Sequence, residues 1–189
     1  KRCFIMLRVA MVLLIINFCY PAFSSPKDEI ISQMKLTKTL SFNFIQSIDE
    51  KKENGSCVIK YPKKIFCAYN GVNKKIIVSN GRSLVIKGKS KQSYYIYRLN
   101  KTPLELLLDK EYLISKIKIL QPRNIDNKFL AFKISEEDNE INIFFDRKNF
   151  QLVGWQTEDI YQKLNITFIS SVKTNQKIND KIFILPKNN

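Results

Sequence analysis

The chain has 189 residues, contains no histidine and carries a net charge of +15. Without histidine it has no Ser-His or Cys-His catalytic pair and no histidine ligand for a metal ion. The positive charge favours anionic partners, but the lysines alternate with apolar residues and form no basic helix, a pattern typical of solvated strand faces. The sequence therefore predicts a protein without metal or cofactor that does not bind nucleic acid.

The N-terminal segment has the pattern of a secretory signal. Residues 9–18 form a short apolar block, preceded by basic residues and followed by small residues at Ala22 and Ser24. A membrane-spanning helix needs about 20 apolar residues, so a signal peptide over residues 1–24 is the better interpretation, with an uncleaved anchor as the alternative. We therefore expect residues 25–189 to form one domain, a monomer that works outside the cytoplasm.

Two cysteines remain after this segment, and the chain around them reads as a hairpin. Cys57 and Cys67 are equidistant from Pro62, so strands that turn at the proline would place them opposite each other on one face. We expect a cross-strand disulfide in an oxidising compartment. The alternatives are two free thiols and a redox-active pair, although the close C-x-x-C spacing of redox motifs is absent.

The first half of the chain predicts a helix followed by antiparallel strands. Residues 27–38 place Ile30, Ile31 and Met34 on one side, with acidic residues in the first turn and lysines near the end, as in an amphipathic helix. Alternating strands follow over 40–48, 54–61, 64–69, 74–79, 83–88 and 92–99. Asn80-Gly81 is a strong hairpin turn, and short turns between consecutive strands indicate antiparallel pairing.

A helical interruption separates these strands from a second set. Thr102 is a suitable cap, Pro103 suits the first position of a helix, and the leucines that follow predict a short apolar helix up to Asp109. A second short helical turn is predicted over 111–116. Strands resume over 128–135, 139–146, 150–158 and 163–171, and a last extended segment covers 181–186.

The strands offer many large apolar residues to one side of the sheet. Those that the alternation pattern assigns to the concave face are Phe44, Ile59, Tyr69, Val78, Ile96, Phe132, Ile143, Phe145, Trp155, Leu164, Ile166 and Phe168. A curved sheet with so few helices either collapses onto itself or keeps an apolar hollow under a lid. Periodicity alone does not distinguish these two outcomes.

The order of several short motifs resembles one family. They are Leu40-x-Phe42-x-Phe44-x-Gln46, Gly55, Pro62 at a strand end, Tyr69, Ile77-Val78-Ser79-Asn80-Gly81-x-x-Leu84, Thr102-Pro103-x-x-Leu106-Leu107 and Leu152-x-x-Trp155. This ordered set resembles the periplasmic carriers of outer-membrane lipoproteins (LolA type) over essentially the whole chain after the signal segment.

The resemblance implies a mainly β fold: an unclosed, strongly curved antiparallel half-barrel, with an N-terminal helix and short helices as a lid over an apolar cavity. The cavity would receive the acyl chains of lipoproteins, and Leu104, Leu107 and Leu108 of the short helix would join its lining. The implied partners are acylated lipoproteins, an ATP-driven lipoprotein-releasing transporter in the inner membrane and an acceptor lipoprotein at the outer membrane. The implied location is the periplasm.

The chain departs from this family at the lid latch. In the family an arginine before the strand-ending proline latches the lid through hydrogen bonds to backbone carbonyls, and here that residue is Tyr61. A tyrosine offers one donor in place of five, so Lys60 or Lys64 would share the task. We expect Tyr61→Phe to loosen the lid if the hydroxyl is the latch. The matching lid-side partners are Met34, the region of Leu107, and Trp155.

Three other functions stay open at this level. One is a carrier of other amphiphiles, such as free lipids. Another is a non-catalytic envelope binding or scaffold module whose core is filled and whose basic surface contacts an anionic membrane or polymer. The last is an enzyme, for which the sequence offers only acidic clusters beside expected turns.

Overall fold

The computed structural model describes residues 24–90, 93–136, 139–158 and 163–188. The expected signal peptide, apart from Ser24, lies outside the described residues. Among the helices in these ranges, none combines the length and the apolar character that crossing a bilayer requires.

The described chain forms one eleven-stranded sheet. Its strands are β1 (Thr39–Ile48), β2 (Lys51–Lys60), β3 (Lys64–Tyr69), β4 (Ile76–Asn80), β5 (Ser83–Lys87), β6 (Tyr94–Arg98), β7 (Arg123–Ile125), β8 (Phe129–Glu136), β9 (Asn139–Asp146), β10 (Leu152–Glu158) and β11 (Leu164–Thr174). The strand order is β6-β5-β4-β3-β2-β1-β11-β10-β9-β8-β7, with antiparallel neighbours throughout. Because β6 and β7 do not pair, the sheet stays open, and the predicted open, mainly β, antiparallel fold is confirmed.

Three α-helices accompany the sheet in the described ranges: α1 (Pro26–Leu36), α2 (Leu104–Leu108) and α3 (Lys110–Ile119). Helix α1 begins one residue before the predicted range of 27–38 and ends two residues before its end. Ser25 Oγ caps it by accepting from the Asp28 amide at 3.2 Å, and Pro26 occupies the first turn. Helix α3 is longer than the predicted turn over 111–116, since Asp109 caps it by accepting from the Tyr112 amide at 3.2 Å.

Two local predictions need correction. Thr102 does not cap α2; its hydroxyl donates to the Leu99 carbonyl at 2.7 Å, closing the short 3-10 turn Leu99–Lys101. The segment predicted as extended over 181–186 begins inside a second 3-10 turn, Asp180–Phe183, which packs on β3 and β4. That turn covers part of the outer side of the sheet.

The sheet bends because its central pairings are irregular. The β1–β11 register shifts between Ser41 and Asn43, and the β10–β9 register shifts between Leu152 and Gly154. Such bulges increase local twist and bend the strand that carries them. Helices α1, α2 and α3 bury their apolar residues in one cluster with the concave face, so the core lies between the sheet and the helices.

The cysteine hairpin forms as its spacing indicates. Strands β2 and β3 pair Cys57 directly with Cys67, and a disulfide of S–S length 2.00 Å joins them. Both cysteines are buried on the concave face, next to Phe42 on β1. The disulfide thus fastens two neighbouring strands within the core.

Candidate functional site: an apolar cavity beneath a helical lid

The concave face carries a continuous layer of large apolar side chains. Of the residues predicted there, Phe44, Ile59, Tyr69, Phe132, Ile143, Phe145 and Trp155 belong to the core cluster or pack against it. Their rings meet edge to face, with centroid distances of 6.1 Å for Phe42–Trp155, 4.8 Å for Phe44–Tyr69 and 6.0 Å for Phe132–Phe145. Edge-to-face contacts add to the stabilisation from burial, so this layer is a firm wall.

The prediction that Val78 and Ile96 face the cavity is wrong. The register aligns Val78 with Val85 and Val85 with Ile96, one residue out of phase with Ser79, which pairs with the concave Ile65. Val78 is nevertheless buried, at 1% exposure, in the strand on which the C-terminal 3-10 turn packs. Because the C-terminal 3-10 turn covers Val78 on the convex side, the residue is apolar there, and the sequence pattern alone assigns it to the core.

The predictions for Leu164, Ile166 and Phe168 are also wrong. In β11 it is Thr167 that pairs with the concave Trp155 and Gln46, so its two neighbours point to the convex face. A shift of one residue exchanges the two faces of a strand, and alternation cannot reveal it. Phe168 is 49% exposed and stacks on Phe144 at a centroid distance of 6.3 Å.

A cavity of ≈ 300 Å³ opens at the mouth of the half-barrel, between the lid helices and the sheet. Its lining residues are Gln33, Met34, Leu36, Thr37, Leu40, Tyr61, Leu107, Lys110, Leu113, Phe145, Phe150, Gln151, Leu152, Val172, Thr174 and Asn175. Of the predicted lining residues only Leu107 and Phe145 belong to this set, together with the predicted latch residues Met34 and Tyr61. The predicted cavity is therefore largely occupied, and the open part lies at the mouth.

The lid helices fill the remainder of the concave face. Leu107, Leu108, Leu113 and Ile117 are at most 1% exposed, and Leu104 packs against the same cluster. These side chains occupy the space that the sequence assigned to a ligand. In this structure the protein's own leucines thus cover the apolar wall.

A polar chain marks the end of the apolar interior that lies furthest from the mouth. The Tyr69 hydroxyl donates to Gln46 Oε1 at 2.9 Å, and Gln46 Nε2 donates to the Thr167 hydroxyl at 3.3 Å. Burial raises the pKa of Tyr69, with a smaller contribution from the negative charge of Glu53. The phenol therefore stays neutral, and these three side chains close the interior with satisfied polar groups.

Two lysines hold α1 and α3 together at both ends. Lys27 Nζ, at the start of α1, donates to the Lys118 carbonyl at 2.9 Å and the Leu120 carbonyl at 3.3 Å. Lys110 Nζ, at the start of α3, donates to the Thr37 carbonyl at 3.0 Å and to the Lys35 carbonyl at 3.3 Å. A cation stabilises the negative end of a helix, so each helix caps the other and the two form one unit of the lid.

A third lysine fastens α2 to the sheet. Lys63 Nζ lies 2.7 Å from Glu105 Oε1 and 2.9 Å from Asp109 Oδ2, and its backbone amide donates to the Leu108 carbonyl at 3.0 Å. Its φ of +63° lies in the left-handed region, and Ser79 Oγ bonds its carbonyl at 2.9 Å. We call Lys63, Glu105 and Asp109 the α2 latch, because these contacts bind the short helix to the β2–β3 turn.

The latch expected at Tyr61 is absent from this conformation. The structure gives the Tyr61 hydroxyl no hydrogen bond within the described ranges; the ring lies under Lys110 Nζ at 5.7 Å from its centroid, and burial raises its pKa. Lys60 and Lys64 contact Asp180 at 2.8 and 3.5 Å, away from the lid. The signal that could have found Lys63 was the Glu105 and Asp109 pair, spaced i,i+4 beside the lid leucines.

Replacing Lys63 by methionine should loosen α2. The partly exposed ion pairs of the α2 latch should contribute about 1 kcal/mol together, so the open form should be roughly fivefold more populated. Glu105 and Asp109 raise the pKa of Lys63, so in the wild type this contribution is present at neutral pH and is lost as the pH rises through that raised value. Hydrogen exchange of residues 104–108 measures the opening.

The matched control is Lys64→Met, which removes the same charge one residue away, where the ammonium contacts Asp180. We expect α2 to exchange at the wild-type rate in that variant and in Tyr61→Phe. Equal acceleration in Lys63→Met and Lys64→Met would show that the α2 latch does not hold the helix.

Several solved structures match this chain at very low identity and with TM-scores below 0.5. A LolA superfamily protein, NE2245 from Nitrosomonas europaea, is 10% identical with a TM-score of 0.49, over 85% of this chain and 96% of that one. A DUF1329 family protein from Desulfovibrio piger is 8% identical with a TM-score of 0.44, over 84% and 95%. A chain in the structure of the Pseudomonas aeruginosa MucA/MucB complex is 7% identical with a TM-score of 0.44, over 87% and 62%.

Sequence comparison gives the family directly. Among curated protein sequences, none matches this chain significantly. The family described as outer membrane lipoprotein carrier protein LolA matches residues 35–185, which include all eleven strands and the helices α2 and α3. The chain therefore belongs to the LolA family of outer-membrane lipoprotein carriers.

Proposed function

We propose that this protein is a non-enzymatic carrier that shields acyl chains between the concave face of its sheet and the lid helices. It would work in the periplasm, taking acylated lipoproteins from an ATP-driven inner-membrane transporter and delivering them to an outer-membrane acceptor lipoprotein. The observation that carries the proposal is the apolar cavity of ≈ 300 Å³ at the mouth, continuous with a face covered only by the lid.

The chemistry of the wall suits hydrocarbon chains. Exposing an acyl chain to water costs about 0.8 kcal/mol of free energy for each methylene. A lipoprotein therefore crosses an aqueous compartment only if its acyl chains are covered. Leu40, Phe145, Leu152 and Val172 offer apolar surface at the mouth, and the buried aromatic layer extends it inward. Contacts of this kind are not directional, which allows release as well as binding.

The closed cavity is too small for the whole cargo, so loading requires the lid to move. A volume of ≈ 300 Å³ is at the lower end of the roughly 300–1,000 Å³ of small-ligand pockets. In this account acyl chains displace Leu107, Leu108 and Leu113 from the wall. Apolar contacts within the protein are then exchanged for apolar contacts with the cargo. The polar contacts that hold the lid helices at their ends are individually weak. Opening is then accessible without a nucleotide bound to the carrier.

One observation favours a second candidate. The concave face is nearly filled by the protein's own leucines, as expected of a binding or scaffold module with a permanent core. A dye that fluoresces in apolar cavities separates the two: saturable binding to the native protein supports the carrier, and its absence supports the filled core. Mass spectrometry of any ligand that purifies with the protein separates lipoproteins from other amphiphiles.

The carrier function is tested with spheroplasts whose inner membrane contains the transporter and labelled lipoproteins. Incubation with the folded protein should move lipoprotein into the soluble fraction as a complex with the carrier. The control is the same incubation with an unrelated basic protein. If lipoprotein stays in the membrane while the transporter is active, the shuttle function is refuted.

A further inference from the structure

A second concave feature lies outside the lid. A polar cleft is lined by Gly81, Arg82, Ser83, Arg98, Leu99, Asn100 and Glu105. It lies where the β4–β5 turn and the end of β6 meet α2. The short helix α2 therefore separates two sites: Leu107 lines the apolar cavity, and Glu105 lines the cleft.

The cleft contains two arginines whose charges are not used by the part of the chain that the structure describes. Arg82 and Arg98 are both exposed, and neither guanidinium has a hydrogen bond or ion pair with the residues that the structure describes. The single carboxylate of the cleft, Glu105, is engaged by Lys63 at 2.7 Å. Guanidinium groups bind phosphate oxygens in pairs of parallel hydrogen bonds, so an unpaired couple in a cleft is suited to a phosphate group.

The neighbouring edge strand indicates where that phosphate resides. Tyr95, Ile96 and Tyr97 precede Arg98 in the edge strand β6, with exposures of 52%, 59% and 46%. The two tyrosines point to the concave side of the strand and Ile96 to the convex side. Tyrosines with exposed rings are typical of the boundary between lipid headgroups and acyl chains, because one end of the ring is apolar and the other is wet. A soluble phosphate ester would not contact these side chains, whereas a lipid surface would contact the arginines and the exposed side chains of β6 at once.

We propose that Arg82, Arg98 and the exposed edge strand β6 form a docking site for anionic phospholipid headgroups at a membrane surface, which the strand meets edge-on. The arginines bind headgroup phosphates while Tyr95, Ile96 and Tyr97 rest at the interface. The net charge of +15 adds long-range attraction to the same surface. The site is independent of the acyl-chain cavity, so it stands or falls separately from the carrier function.

Co-sedimentation with vesicles tests the site. We compare Arg82→Gln/Arg98→Gln with the matched double variant Arg123→Gln/Arg147→Gln, which removes the same charge around the opposite sheet edge. The vesicles contain phosphatidylglycerol and phosphatidylcholine, or phosphatidylcholine alone. Each arginine near an anionic surface strengthens binding by about fivefold, so the cleft variant should bind mixed vesicles roughly 30-fold more weakly. The control should stay within about threefold of the wild type, since it loses only long-range attraction.

The other outcomes overturn the proposal. Equal losses in the two double variants would mean that binding reflects net charge alone. Saturable binding of inorganic phosphate by the cleft, without vesicle binding, would assign it to a soluble phosphate ester. If the wild-type protein does not bind the mixed vesicles, the arginines do not dock on lipid, and an acidic protein becomes the partner to test. Thermal unfolding is compared for all variants, and the unpaired side chains of Arg82 and Arg98 predict wild-type stability for the cleft variant.

Discussion

Val172→Trp should weaken the binding of a fluorescent fatty acid by at least tenfold. Val172 is half-buried and lines the cavity at the mouth, where an indole would occupy space that an acyl chain needs. Tenfold corresponds to about 1.4 kcal/mol, less than the roughly 1.5–3 kcal/mol of burying one large apolar side chain. Fluorescence titration of the purified protein measures the effect.

The matched control is Val72→Trp, the same substitution in a loop where the valine is 86% exposed. It should bind the fatty acid as the wild type does. Unfolding in urea must accompany both titrations, because an indole that does not fit would also destabilise the fold by about 1–3 kcal/mol. Wild-type affinity in a folded Val172→Trp protein would place the acyl chain elsewhere.

Gly55→Val should lower the free energy of unfolding by about 3 kcal/mol or more, at the upper end of overpacking effects. A Cβ on Gly55 would lie 2.2 Å from the Ala68 carbonyl oxygen and 2.9 Å from the ring of Phe44. The neighbouring backbone must therefore shift, and the Phe44–Tyr69 ring contact over this position is lost. For a protein of this size we expect a fall in melting temperature of roughly 6–12 °C by calorimetry.

Ser56→Val is the control for this prediction. It introduces the same β-branched side chain at the next position of β2, which is exposed on the convex face. We expect a change within about 0.5 kcal/mol, as for ordinary surface positions. Comparable losses in Gly55→Val and Ser56→Val would mean that valine disturbs the strand itself and that close packing over Gly55 is not the cause.

The sequence predicts the elements that depend on local signals. The N-terminal helix, the Asn80-Gly81 turn and the pairing of Cys57 with Cys67 all follow from residues that are close in the chain. The motif order also indicates the family, because it spans the strands of the half-barrel and the lid helix. Both kinds of signal survive without knowledge of the tertiary packing.

What the sequence cannot give is the phase of each strand relative to the core and the partners of distant charges. The irregular β1–β11 pairing places Thr167 on the concave face and Phe168 on the convex one, and no local pattern marks that change. The α2 latch joins Lys63 to Glu105, 42 residues away, so its existence depends on the curvature of the sheet. Likewise, the packing of the leucines of α2 and α3 determines how much of the space on the concave side is filled, and the sequence does not show this packing.

The lid consists of two parts that are held by different contacts. Helices α1 and α3 form one unit through Lys27 and Lys110, while α2 is held by the α2 latch. A short helix held at its rim by weak polar pairs can open without unfolding the sheet behind it, which carries the disulfide. In the proposed carrier, loading and release would depend on the balance between buried leucines and acyl chains over the same wall.

In the proposed carrier, acyl chains enter the space beneath the lid. Photocrosslinking with a diazirine-labelled palmitate, followed by mass spectrometry of the labelled peptides, tests it most directly. We expect saturable labelling at the mouth residues Met34, Leu107 and Val172, with competition by unlabelled palmitate. Labelling confined to the exposed convex residues Ile45 and Phe168, or no saturable labelling at all, would contradict it.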